Sequence, residues 1–547
     1  MVIVGPRPQT GSRVSHPDAV VIGAGHNGLV AANHLADAGW DVVVCEATPY
    51  VGGAVQTADV TAPGFHSDLF SAFYPLAAAS PVIDALQLNR HGLQWAHAPA
   101  VLGHLFPDDR AVVLSRDLDA TAASVDRFAA GDGAAWRRLV AQYRSVEDDL
   151  LAAVLHPFPP VRAGLGLART LGAADGIRFL RQAVLPVRRF GDEMFTGAGA
   201  PMLFAGNALH ADLSPDAAGS GIFGYLLTML AQTVGFPVPV GGAGQLTRAM
   251  ADRLTAAGGH VRTGAPVIDV LVEGGTAVGV RLESGETIRA RRAVLADVAA
   301  PILYGHLVHR QHLPARLLED MTRFQWDTPT LKIDWALSEP VPWTTREVAG
   351  AGTVHLGVDM NGLSQYATDL TCGRVPANPF VLFGQMTTSD PSRSPAGTES
   401  AWAYTHVPPG EPLSAADVSR QVERVEARLE RHAPGFADLV IGRDVQPPHG
   451  LQQRNPNLVD GAINGGTAQI HQQLFFRPVP GLGGAVTPID RLLLAGSSAH
   501  PGGGVHGAAG ANAAHTALRR DGVLGPFRHR LAAGVLRQLY TPSKGDA

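Results

Sequence analysis

Residues 20–53 constrain the fold more tightly than any other stretch of the chain. Val20, Val21 and Ile22 form an apolar run that enters Gly23, Ala24 and Gly25 and, past His26 and Asn27, Gly28. A helical stretch then runs to Gly39, and Val42 to Val44 lead to Glu46. This order predicts a βαβ unit that lays a dinucleotide pyrophosphate on a helix N-terminus. Gly23 permits the tight turn, Gly25 lets the backbone approach the phosphates, and Gly28 lets the helix lie close to the strand. Glu46, at the tip of the second strand, is placed to accept hydrogen bonds from the adenosine ribose hydroxyls. A glycine triplet alone would say little; the terminal acid at its expected offset makes the pattern specific.

The 547 residues suffice for a large core and more than one lobe. A hydrophobic fraction of 46% beside 17% charged residues describes an apolar globular chain, and the net charge of −5 offers no case for nucleic acid. Cys45 and Cys372 are the two cysteines and lie far apart, which removes a CxxC redox pair, a zinc cluster and a disulfide framework. No metal site is expected. No apolar run approaches the roughly 20 residues that span a bilayer. Residues 1–17, rich in Pro, Gly and Ser, are expected to be disordered. They hold Arg7 and Arg13 without an acid, so organelle targeting stays open beside the expected cytoplasmic location.

Further along, Gly241-Gly-Ala-Gly-Gln-Leu246 opens a helical stretch, and short strands are predicted at 267–272, 277–282, 287–290 and 293–295, with hairpin turns at Gly274-Gly275 and Ser284-Gly285. Leu492 to Ala495 reads as a buried strand that feeds a glycine-rich turn and an alanine-rich helix. The expected organisation is one nucleotide domain built from 18–75, 238–300 and 485–525, a second lobe from 76–237 and 301–484, and a C-terminal tail at 526–547.

These motifs, with Gly25-His-Asn-Gly28, Gly52-Gly53-Ala54, Asp132-Gly-Ala-Ala-Trp136 and Ala499-His-Pro-Gly-Gly-Gly-Val505, resemble the phytoene-desaturase-related flavoproteins of the amine-oxidase-like superfamily. The nearest resemblance is to the branch of pyridine nucleotide-disulphide oxidoreductase domain-containing protein 2 and to the desaturase-like carotenoid ketolases. It spans essentially the whole chain and implies FAD. The implied fold is α/β: a Rossmann-like FAD-binding domain of the glutathione-reductase type assembled from discontinuous segments, plus an α+β substrate domain. Gly52-Gly53 just beyond Glu46 agrees, since a flavin nucleotide needs close backbone approach there. Many relatives carry an arginine after this pair; here Ala54 stands in its place. Carried over by position, Val267 offers its backbone to the adenine, Gly496 approaches the ribitol or pyrophosphate, and Gly504 and Val505 begin a helix aimed at the flavin's pyrimidine edge. Ser497 and Ser498 stand where relatives often place a ribitol-binding acid.

Three side chains are candidates for chemistry near the flavin. In relatives a lysine on a similar strand holds a water against the flavin N5; Lys332 matches it and is one of only two lysines in the chain. Lys332 and Asp334 share a strand face, so a plain ion pair is the alternative. His506 and, with less support, His500 flank the glycine-rich turn and suit general acid–base chemistry. His515 and His471 read as ordinary histidines.

Residues 152–190 join apolar side chains to Arg162, Arg169, Arg178, Arg181, Arg188 and Arg189. They suit peripheral contact with an anionic membrane, a helix covering the second lobe, or a homo-oligomer contact. Residues 220–236 suit a hydrophobic pocket wall or a core helix. The expected activity is an FAD-dependent oxidoreductase, dehydrogenase/desaturase- or oxidase-like, that takes hydride from a small hydrophobic substrate, a polyene or another lipid, with oxygen or a quinone as acceptor. The alternatives are a flavin-stabilised interaction protein with little turnover and an amine-type oxidase.

Overall fold

The computed structural model describes residues 16–522 together with Gly525, Gly534, Leu536 and residues 538–540. The segment expected to be disordered lies outside the described residues up to Ser15, as does most of the tail at 526–547.

Five parallel strands form one sheet in the order Leu492–Leu494, Ala293–Ala296, Ala19–Ile22, Val42–Cys45 and His260–Arg262. Successive side chains on a strand point to opposite faces, and here both faces are apolar. Val21, Val42, Val44, Leu295 and Leu493 enter one core, whereas Val20, Ile22, Val43, Val294 and Leu494 enter another. Strands covered on both sides read as unbroken apolar runs, which is how these stand in the sequence.

Helices His26–Asp37, Gly244–Ala256 and Ala508–Asp521 cover the first core. Chain segments far apart in sequence thus meet around one sheet. An antiparallel sheet of Val267–Glu273, Thr276–Leu282 and Thr287–Arg289 closes the second core. Ala293–Ala296, predicted as the last of that run of short strands, instead joins the parallel sheet. The edge strand His260–Arg262 was not anticipated, because three half-exposed residues carry no apolar run.

A second, seven-stranded sheet has the order Val440–Gln446, Thr330–Leu337, Glu399–His406, Val381–Gln385, Ala351–Leu356, Ala100–Leu105 and Ala111–Leu114. Its neighbours are antiparallel except Ala100–Leu105 beside Ala351–Leu356. On Thr330–Leu337 the alternation is decisive. Leu331, Ile333, Trp335 and Leu337 enter a core under helix Ala415–His432, which leaves Thr330, Lys332 and Asp334 on the other face. That other face meets helices Gly199–Leu209 and Ser220–Thr233. Residues 220–236 are therefore both of the things expected of them: core helix and, through Phe223, Leu226, Leu227 and Phe236, cavity wall.

Helix Val161–Val184 buries only Ala163 and Phe179. Among the described residues no helix is long and apolar enough to cross a membrane.

Candidate active site

A cavity of about 550 Å³ reaches from the carboxyl ends of the parallel strands to the seven-stranded sheet. In open α/β sheets this is where ligands bind. Gly23, Gly25, Glu46, Gly53, Ala54 and Val267 line it at the parallel-sheet end; Ser497, Gly504, Val505 and His506 line it from the C-terminal turn; Lys332 lines it from the second sheet. Ala24, Asn27, Gly28, Gly52, Gly496 and His500 do not form its wall. Several of these stand directly behind it. Ala24 N–H donates to Glu46 Oε2 at 2.7 Å, Gly52 N–H donates to the Ala24 carbonyl at 2.9 Å, and Gly28 N–H donates to Asp297 Oδ2 at 2.8 Å. Asn27 is buried, with neither amide atom partnered.

The backbone contacts explain the glycines. A Cβ on Gly53 would sit 3.0 Å from Gly25 Cα, and one on Gly25 would sit 2.7 Å from Asp297 Oδ2. Any side chain at either position would occupy the trough or displace the strand ends beneath it. His26 lines the same trough, and its Nε2 is buried without a partner. Burial pushes its imidazole down to about 4, so it faces the trough neutral. A narrow, glycine-walled channel with an acid fixed at one end fits a dinucleotide.

Glu46 is fixed within the protein: its Oε1 accepts from the Thr48 amide and hydroxyl, both at 2.9 Å. Asp297 was missed from sequence, because a single aspartate after a predicted strand carries no motif. Burial pushes its carboxyl up to about 7, against the Gly28 hydrogen bond and with help from the nearby Glu46. Cys45 also lines the trough, and burial raises its thiol to about 12, far from a reactive thiolate. Cys45 and Cys372 are both free.

The C-terminal turn departs from expectation in three ways. Gly504 and Val505 do not begin the helix; it starts at Ala508, after Gly507 in the left-handed region. His506 Nδ1 accepts the Ala508 N–H at 3.0 Å, so this ring satisfies one of the helix's free amides. Burial pushes it down to about 3, which leaves it neutral and poorly suited to the acid–base role expected of it. His500 donates through Nε2 to the His156 carbonyl at 3.0 Å, away from the cavity. Ser497 and Ser498 both line the trough, and Ser498 donates its hydroxyl to the Gly465 carbonyl at 2.8 Å.

Two buried charges brace the wall beside this turn. Arg477 donates to the carbonyls of Asn464, Thr467 and Ser497, and Asp327 accepts the amides of Ile463, Asn464 and Gly466. Neither was singled out from sequence, where an isolated Arg or Asp in a loop gives no signal.

Lys332 lies in the wall with its ammonium bonded to both carboxylate oxygens of Asp334, and both residues are buried. The ion pair and the cavity-facing position, weighed as alternatives, occur together. His515 is exposed on its helix, and His471 bonds Gln325 from an exposed position.

The parallel sheet, the glycine-walled trough and the capping second sheet define a dinucleotide-dependent α/β oxidoreductase. The model of the flavin containing amine oxidoreductase family matches residues 28–516, and the chain belongs to that family. It is an FAD-dependent oxidoreductase. Pyridine nucleotide-disulfide oxidoreductase domain-containing protein 2 of Rattus norvegicus is 30% identical over 92% of this chain and 93% of its own length. The zeta-carotene-forming phytoene desaturase of Myxococcus xanthus is 27% identical over 89% and 90%. An oxidoreductase of known structure from Methanosarcina mazei superposes with a TM-score of 0.60 at 16% identity, covering 92% of this chain and 99% of that one.

Proposed function

We propose that this enzyme takes hydride from an apolar substrate, a polyene or another lipid, and passes the electrons to oxygen or a quinone. One observation carries this: beyond Gly504 and Val505 the cavity is walled by Phe73, Phe223, Leu226, Leu227, Phe236 and Trp402. Bound FAD supplies the hydride-accepting chemistry; the protein supplies binding and orientation. The aromatic and aliphatic wall desolvates and aligns the substrate chain, and keeps water from the site. Lys332, fastened by Asp334, keeps its ammonium at a fixed place in that wall. The similarity to a carotenoid desaturase supports the same substrate class.

The family is also compatible with an amine-type oxidase, but the cavity wall favours the apolar substrate. Among the described residues, the carboxylates in the cavity wall are Glu46 and Asp297, both beside the glycine turn, so the apolar end holds no counter-charge for an ammonium. We further propose that an anionic membrane delivers the substrate: Val161 and Leu165 before the kink at Gly172, and Ile177, Leu180 and Val184 after it, are exposed among exposed Arg162, Arg169, Arg178 and Arg181.

The test is a visible spectrum of the purified protein followed by anaerobic titration with polyenes, lipids and amines. The flavin band at about 450 nm is expected to bleach with a polyene or lipid and not with amines. Bleaching by amines alone, or by none of the panel, would overturn the substrate assignment. Rapid bleaching by NADPH alone would overturn the acceptor assignment.

A further inference from the structure

The apolar end of the cavity contains a small group of polar side chains that the proposed hydride transfer does not use. Asn207, His210, Thr353 and Tyr404 all line this end. Asn207 and Thr353 are 0% and 1% exposed, and Asn207 Oδ1 and Thr353 Oγ1 have no hydrogen-bond partner in the protein. A buried polar atom without a partner is costly, and a fold that keeps two of them on one cavity wall directs them at something that binds there.

The hydrogen bonds around them settle which groups are donors and which acceptors. Thr228 donates its hydroxyl to the Leu203 carbonyl at 3.5 Å, so its lone pair takes the Asn207 amide N–H at 2.8 Å. Asn207 Oδ1 is then the free end, and it is an acceptor.

Beside them, His210 Nε2 and His355 Nε2 lie 3.0 Å apart, and Tyr404 Oη lies 3.4 Å from His210 Nδ1. His355 Nδ1 is buried without a partner, against Gly206. A stranded lone pair there costs less than a stranded N–H, because a buried unpaired donor is the rarer fault. The His355 proton therefore sits on Nε2 and is donated to His210 Nε2. His210 in turn donates Nδ1–H to the tyrosine oxygen, and Tyr404 is left with its O–H to give to the cavity.

Burial and the neighbouring His406 push His210 down to about 4, and burial raises the Tyr404 phenol above its usual range. The group is neutral at physiological pH. It thus presents one acceptor, one donor and the adaptable Thr353 hydroxyl, with no net charge.

We propose that this group is a subsite for a hydroxyl oxygen carried by an otherwise apolar substrate, so that the enzyme's substrate class is a lipophilic alcohol rather than a bare hydrocarbon. A hydroxyl donates and accepts, and it matches Asn207 Oδ1 and Tyr404 O–H together. A ketone leaves Asn207 unmatched. A carboxylate or an ammonium would be buried without an opposite charge. A pure hydrocarbon leaves all three polar groups unpaired, the situation in which a polar site rejects an apolar analogue most strongly. This rests on the apolar substrate proposed above and makes it specific.

The experiment is calorimetric titration of the FAD-loaded protein with geraniol and with myrcene, an alcohol and a hydrocarbon of the same chain length, followed by anaerobic flavin spectra with each. The wild type is expected to bind geraniol at least about tenfold more tightly than myrcene. Thr353→Val and Asn207→Leu, checked for fold by circular dichroism and for retained flavin absorbance, are expected to erase that preference and to improve myrcene binding. Equal binding of the two ligands by the wild type, absence of binding by either, or a preference that survives in both variants overturns the subsite. If a variant does not fold, the wild-type ratio alone decides. Preferential geraniol binding with no bleaching by any polyene or lipid overturns the hydride-transfer proposal and leaves the subsite standing. Bleaching without a preference does the reverse.

Discussion

The two sheets hold the same cavity by different means. At the parallel sheet the wall is backbone: Gly53 lies against Gly25, Gly23 and Gly25 lie against Asp297, and the fixed side chain is Glu46. At the seven-stranded sheet the wall is side chain: Lys332, Thr353, Trp402 and Tyr404 project from alternate strand positions, with Phe223 and Leu226 opposite. A wall of backbone tolerates almost no substitution and serves one ligand. A wall of side chains can change residue by residue while the strands stay put, so substrate choice resides there.

Substitutions on each side can break or sharpen this contrast. The largest effect on cofactor binding is expected from Gly25→Val, whose side chain must displace Asp297. FAD affinity should fall on the order of 100-fold, roughly 2.7 kcal/mol, read as lost flavin absorbance and by titration of apoprotein. Retained flavin would show that the backbone wall is not the determinant.

On the other sheet, Lys332→Met strands the buried Asp334 and should cost about 3–5 kcal/mol in denaturant unfolding. Lys332→Met with Asp334→Leu should recover most of that, because the pair is replaced together. A double variant as weak as the single would mean that position 332 behaves like the glycine wall.

Asp297 gives the backbone side a pH signature. Its carboxyl is raised from 3.8 to about 7 in the folded protein. The native state therefore holds a proton that the unfolded chain has released, and stability is complete below the unfolded value and lost as pH rises through the folded one. Thermal melts of flavin-free protein should fall in Tm across that window, and Asp297→Asn should flatten the profile.

Leu226→Trp, which fills the apolar end, should leave the flavin spectrum intact and weaken substrate-dependent bleaching about tenfold. Smallest of all, His506→Ala removes the acceptor for the Ala508 amide and should cost about 1 kcal/mol. Loss of turnover beyond that of a thermally matched variant would restore His506 to acid–base chemistry.

The same contrast governs what could be read from the chain. The nucleotide side was legible because its constraints are local: glycines at fixed offsets, apolar runs that must be doubly buried, and an acid at a strand tip. Asp297 escaped because its importance comes from lying under the Gly25 turn, a contact across a long sequence separation. The seven-stranded sheet was mostly unread. Its strands are gathered from distant segments, and what matters in Asn207, His210 and Thr353 is which atoms find no partner, a property of packing that no spacing encodes. The expectation for Gly504 and Val505 failed for a related reason: a glycine-rich run gives several places where a helix can start, and the Ala508 amide finds its acceptor in His506.

One braced loop bears on how a guest reaches the interior. Asp327, just before a strand of the seven-stranded sheet, grips residues 463–466 by their amides, while Arg477 ties the same stretch to Ser497 beyond the parallel strand Leu492–Leu494. The two halves are pinned together at this seam, and prising them apart would strand two deeply buried charges at once. A clamshell motion along this seam would have to break both braces, so the seam is not where the molecule opens most cheaply.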